Sequence, residues 1–84
     1  MLSGPQTSLK DIFPELTAKQ FICFEMYSTG SCIKQIAHHN EVAERTVERH
    51  LQSAKEAFGC ISLSELRPIF SNRLLRLYLE KIMS

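Results

Sequence analysis

Residues Val42 to Phe58, VAERTVERHLQSAKEAF, constrain this chain more than any other stretch. At about 100° per residue, Val47, Leu51, Ala54 and Phe58 fall on one narrow stripe. Arg45, Glu48, Arg49, Gln52 and Glu56 fall on the opposite side. A helix so divided docks its apolar side on a core and turns its long polar side chains toward solvent or a partner. Glu44 and Glu48 stand near its start, where the helix dipole favours negative charge. Gly59 stands just past its end, where a left-handed residue is commonest. The pattern predicts a helix over about 43–58.

The flanks add an arrangement. Upstream, CIKQIAHHNEVA is a short helical pattern with Ile33, Ile36 and Ala37 apolar. It predicts a helix from about Cys32 to His39, with Lys34 and Gln35 pointing outward near its start. Short helix, tight turn and longer helix with a polar outer face make a helix-turn-helix, whose second helix enters the DNA major groove. Before it, Thr17 and Gln20 have the spacing of a capping box, and Leu16 can staple onto Phe21. That helix is expected to run to about Ser28 and stop at Gly30, with Phe21, Phe24 and Tyr27 in the core. Met1 to Lys10 is polar, holds Gly4 and Pro5, and reads as a flexible lead.

After Gly59, Ser64 is the expected N-cap of a fourth helix, with Pro68 in its first turn or just beyond and a second start available at Ser71. Leu74, Leu75, Tyr78, Leu79 and Ile82 then recur at helical spacing, with Arg73, Arg76, Glu80 and Lys81 outside. An apolar stripe on the terminal helix of a small domain folds back on the core or meets a copy of itself.

Charge and chemistry narrow the classes. Eighty-four residues allow one small domain with a modest core. The formal net charge is only +1, whereas a nucleic-acid-binding domain usually has a clear basic excess. Any positive field must come from local arrangement, and weak monomeric affinity is expected. Cys23, Cys32 and Cys60 are odd in number and lack CxxC spacing, so neither a disulfide framework nor a zinc knuckle is supported. Reduced thiols are expected, with Cys23 and Cys60 buried. His38 and His39 project about 100° apart on a helix and, with His50, form no ligand spacing. No metal or cofactor is expected. No paired carboxylates, nucleophile with a base, or Gly-rich phosphate loop point to an enzyme. No apolar run spans a membrane, and no secretory signal pattern is present.

The ordered set Leu16-Thr17, Gly30, Lys34, Ile36-Ala37, Val42, Arg45-Thr46-Val47, His50-Leu51 and Gly59 resembles the LuxR/GerE-type DNA-binding domain, over about Phe13 to Phe70. The resemblance implies an all-α fold: a four-helix LuxR-type helix-turn-helix bundle, here with an extended C-terminal helix. Residues 13–84 would form this domain behind a lead of residues 1–12. It implies a cytoplasmic, nucleoid-associated bacterial regulator, either stand-alone or the end of a larger protein. The chain departs from the family pattern at the turn. Asn40 stands where leucine is usual, Glu41 where glycine is common, and Ala43 where serine caps the recognition helix. Loss of that cap costs roughly 1 kcal/mol. Asn40 is expected to take the left-handed conformation that ends the second helix. Cys32 replaces another capping serine, a role Ser31 is a candidate to fill.

Carried over residue by residue, the resemblance aims Glu48, Arg49 and Gln52 at base edges. Their chemistry suits cytosine N4, guanine O6 and N7, and adenine N6 and N7 respectively. Lys34, Arg45, Thr46, His50, Ser53 and Lys55 are the candidate phosphate contacts. Leu74, Leu75, Tyr78, Leu79 and Ile82 are the candidate dimer contact, since the fourth helix commonly pairs in this family. The implied partners are double-stranded DNA, a second copy of the chain, and RNA polymerase or another regulator. The expected function is a sequence-specific double-stranded DNA-binding transcriptional regulator. The alternative is a helix-turn-helix adaptor or anti-activator acting by protein contact, motivated by the near-neutral charge, the acidic recognition helix and the apolar tail.

Overall fold

Residues 9–83 are described by the computed structural model. Thr17 opens the first helix, α1 (Ala18–Ser28), through both halves of a capping box. The Thr17 N–H donates to Gln20 Oε1 at 3.0 Å, and the Gln20 N–H donates to Thr17 Oγ1 at 3.2 Å. Two donors that lack helical partners are thereby satisfied. The second and third helices are α2 (Ile33–Asn40) and α3 (Glu44–Ala57). The fourth, α4, runs from Leu66 to Met83 without interruption. Two short 3₁₀ turns, Leu9–Ile12 and Leu63–Glu65, precede α1 and α4. Among the described residues there is no strand, and the fold is the expected all-α helix-turn-helix bundle.

The first three helices end in one hydrogen-bond pattern. After α1, the Gly30 N–H reaches Tyr27 O and the Ser31 N–H reaches Met26 O. After α3, the Gly59 N–H reaches Glu56 O and the Cys60 N–H reaches Lys55 O. After α2, the Glu41 N–H reaches His38 O and the Val42 N–H reaches Ala37 O. This is the Schellman closure, which needs a left-handed residue at its first position. Gly30 and Gly59 supply it twice, at φ of 116° and 69°. The third time it is Glu41, at φ 56°. The expectation that Asn40 takes this conformation is therefore corrected. Asn40 is the last residue of α2, and its Nδ2 donates to Ile36 O at 2.8 Å and to Met26 Sδ at 3.5 Å. A polar tether to α1 stands where the family pattern has leucine.

The core begins at Phe13, the first residue expected of the domain. Residues 9–12, assigned to a flexible lead, form a 3₁₀ turn, and Phe13 behind it is fully buried; residues 1–8 lie outside the described residues. All five phenylalanines gather in one cluster. Phe13 stacks on Phe70 at 5.6 Å and meets Phe24 edge-on at 5.0 Å, and Phe24 lies 5.4 Å from Phe58. Such offset and edge contacts add to simple burial. The rest of the core is aliphatic, with Leu16, Ile36, Val47, Leu51 and Leu66 nearly or fully buried. Packed in this way, α3 rests against α1 and α2, while α4 packs on α1.

Three further expectations change at α4. Ser64 is not its cap. It lies within the 3₁₀ turn, and the Ile61 and Ser62 N–H groups both donate to Glu65 at 2.8 Å, so the Ser62–Glu65 pair organises the start. These donors hold the Glu65 carboxyl below its ordinary pKa. No second start occurs at Ser71, because Pro68 falls in the first turn, where its missing N–H is an orphan of the helix start. Arg73, expected outside, reaches back across the molecule. Its guanidinium lies 4.9 Å from the Phe13 ring centroid and 5.5 Å from that of Phe58. It also donates to Ile12 O at 2.9 Å and pairs with Glu15 at 2.9 Å. One side chain so fastens the N-terminal turn to α4.

Candidate nucleic-acid interface

The exposed side of α3 follows from the stripe on its other side. Val47, Leu51 and Ala54 are each 0% exposed, and this fixes the rotation of the helix about its axis. Glu48, Arg49 and Gln52 are consequently exposed. Neither the core nor α4 covers them. Successive steps of four residues set Glu44, Glu48, Gln52 and Glu56 along one ridge of the helix, with Arg45 and Arg49 on the adjoining ridge. Gln52 Nε2 donates to Glu56 Oε2 at 3.1 Å, joining two members of the first ridge.

The other candidates divide. Lys34, near the start of α2, and Arg45, in the first turn of α3, are exposed. Thr46, His50 and Ser53 are half-buried along the flank of α3. Lys55 is half-buried, and its Nζ donates to Ile61 O at 3.3 Å, so it ties the end of α3 to the following turn. The family resemblance placed Lys55 with the candidate phosphate contacts. The turn that captures it is visible only in three dimensions.

The N-termini of both helices of the motif are lightly capped. Ala43 makes no side-chain bond at the start of α3, and only its carbonyl is engaged, by Thr46 and Val47. At α2 the capping position belongs to Cys32, not Ser31. Gln35 Oε1 accepts from the Cys32 N–H at 2.9 Å. The backbone donors that remain at such ends favour an anion.

Among the described residues no three His, Cys, Asp or Glu side chains gather where a metal ion could be held. Cys23 is buried, and burial pushes its thiol pKa up. Cys60 is half-buried, and burial raises its pKa as well, followed by the nearby Glu65 carboxylate. Both thiols are thus kept away from the reactive thiolate form. Cys32 is exposed. His38 and His39 are also exposed and lie beside Lys34 and Gln35 at a shallow hollow that Met26 and Ser31 complete.

The C-terminal candidates also divide. Leu74 packs against the core. Leu75, Tyr78, Leu79 and Ile82 are 55%, 62%, 46% and 59% exposed. Leu77, which the spacing had not singled out, is half-buried. Apolar though this segment is, no helix among the described residues is long and apolar enough to cross a membrane.

A family model described as GerE, bacterial regulatory proteins, luxR family, matches residues 14–69. The matched span runs from just after Phe13 to the first turn of α4 and takes in the whole helix-turn-helix. No curated protein and no solved structure matches the chain.

Proposed function

The chain belongs to the luxR family of helix-turn-helix DNA-binding regulators, and from that premise we propose that it is a sequence-specific transcriptional regulator that reads double-stranded DNA with α3 in the major groove. Glu48, Arg49 and Gln52 face base edges in this reading. Lys34, Arg45, Thr46, His50 and Ser53 meet phosphates from the two sides of the groove. Lys55 joins them only by leaving the Ile61 carbonyl. Two copies pair through the distal part of α4 and place their recognition helices on half-sites about one turn apart.

One observation carries the reading. Arg49 and Gln52 stand clear on the solvent side of a helix whose opposite side is wholly buried. Arg49 supplies the two-pronged donor suited to guanine O6 and N7. The carboxylates beside it weaken non-specific attraction to phosphate, which favours discrimination over raw affinity.

Binding of the chain to random and selected duplexes, across a salt series, tests this. The expected result is weak random binding at low salt and tighter binding to a selected site. Replacing Arg49 by Ala is expected to cost about 1–3 kcal/mol at that site and to relax selectivity at one base pair. An Arg49→Ala chain that binds unchanged refutes the assignment of this face. The exposed carboxylates and the uncovered apolar side chains of α4 favour a second reading, an adaptor that meets another protein. Complete absence of duplex binding at low salt, with capture of a defined regulator, selects it.

A further inference from the structure

Resting on the proposed readout by α3, we infer that Glu56 is a positioning residue for Gln52: it fixes the order in which the amide offers its acceptor and donor to a base. Gln52 Nε2 donates to Glu56 Oε2 at 3.1 Å, one helical turn further along the exposed ridge. A carboxylate accepts hydrogen bonds and donates none. The amide must therefore turn its nitrogen toward Glu56, and Oε1 away from it. Without that partner the terminal torsion of glutamine is broad and roughly two-fold. Its two settings present donor and acceptor in opposite orders. Adenine asks for one order, an acceptor opposite N6 and a donor opposite N7. The pairing leaves Oε1 and the second amide hydrogen available for that contact. It also sets their order before the duplex arrives, which lowers the ordering cost at binding.

The neighbouring cation does not compete for the carboxylate. Lys55 Nζ is bonded to Ile61 O, off the ridge. Glu56 then has two effects of opposite sign. Its charge repels phosphate and lowers affinity for every duplex, while its bond to Gln52 sharpens the choice at one base pair. Glu56→Gln separates them in part, because it removes the charge and keeps an acceptor within reach of Gln52 but adds a donor that can bond the reversed amide.

The test measures equilibrium binding of the full chain and its E56A, E56Q, Q52A and Q52A/E56A variants to the duplex the wild type selects, and to each single-base-pair replacement of it. E56A is expected to lose about twofold in preference, at the base pair where Q52A also loses preference. E56Q is expected to lose less of that preference than E56A, and adding E56A to Q52A changes it no further. Both Glu56 variants bind all duplexes more tightly than wild type. In the free protein the Gln52 side-chain amide resonances are expected to move in E56A and to move less in E56Q. Base preferences identical to wild type in both E56A and E56Q, with equal gains in affinity, overturn the inference and leave the regulator reading intact. A wild-type chain that selects no duplex overturns both.

Discussion

The recognition helix and the distal half of the last helix make an instructive pair. Both carry apolar residues at helical spacing, with arginine and glutamate between them. In α3 the two kinds of residue part cleanly: Val47, Leu51 and Ala54 are fully buried, and Arg45, Glu48, Arg49 and Gln52 are exposed. In α4 the division fails after Leu74. Leu66 and Phe70 are buried, but Leu75, Tyr78, Leu79 and Ile82 remain in water. The first helix has its apolar partners within its own chain, and the second has run past the end of its core. Exposed apolar side chains in contiguity mark contact sites more often than scattered ones do. The fold thus completes the apolar side of α3 and leaves the distal apolar side chains of α4 uncovered.

The largest expected effect tests that separation directly. Leu51→Ala empties a fully buried place in α3 and is expected to cost about 2–5 kcal/mol. Leu79→Ala in α4 is expected to change monomer stability by no more than about 0.5 kcal/mol. Denaturant titration at low protein concentration measures both, and equal losses would abolish the distinction. Second, under the proposed pairing, Leu75→Glu with Leu79→Glu is expected to halve the mass in sedimentation and leave the helical circular dichroism intact. An unchanged mass would show that α4 is not where copies meet.

Smaller effects sharpen the contrast at the ends of the helices. Glu41 sits in the left-handed region at φ 56°, where a side chain costs about 1–2 kcal/mol and glycine pays only its extra freedom in the unfolded chain. Glu41→Gly is thus expected to stabilise by about 0.5–1 kcal/mol, read as a rise in the midpoint of unfolding. A fall would mean that the glutamate is not strained there. The smallest effect concerns the strap from α4 to the N-terminal turn. The hydrogen bond from Arg73 holds the Glu15 carboxyl below its usual 4.5. A lowered folded-state pKa adds stability that is present above the unfolded value and lost as pH falls through the folded one. The pair is more than a third exposed on its Glu15 side, so the contribution is expected to stay below about 1 kcal/mol. Glu15→Gln removes it, and wild type and variant should then converge in stability at acid pH below the folded-state value.

Much of the helix-turn-helix was legible because its signals are local. The capping box at Thr17, the terminating Gly30 and Gly59, and the stripe of α3 each depend on residues within a turn or two of one another. The rotation of α3, and with it the candidate base-facing side, follows from that stripe alone. The chain end was less legible. Ser64 was the expected cap, and only the convergence of the Ile61 and Ser62 N–H groups on Glu65 places the start at Ser62. Asn40 and Glu41 are a similar case. Asparagine tolerates the left-handed region better, yet its side chain was engaged with Ile36 and Met26, and the conformation passed to Glu41.

By itself the amino-acid order determined four helices, the motif they form and the family it belongs to, because backbone periodicity and end signals act over a few residues. What needed the folded molecule is whatever joins distant parts of the chain. Phe13 became the centre of the aromatic cluster, Arg73 crossed to Ile12 and Glu15, and Lys55 was drawn to the Ile61 carbonyl. No spacing rule foresees such contacts, since a long side chain goes wherever the assembled surface leaves it an acceptor or an aromatic face.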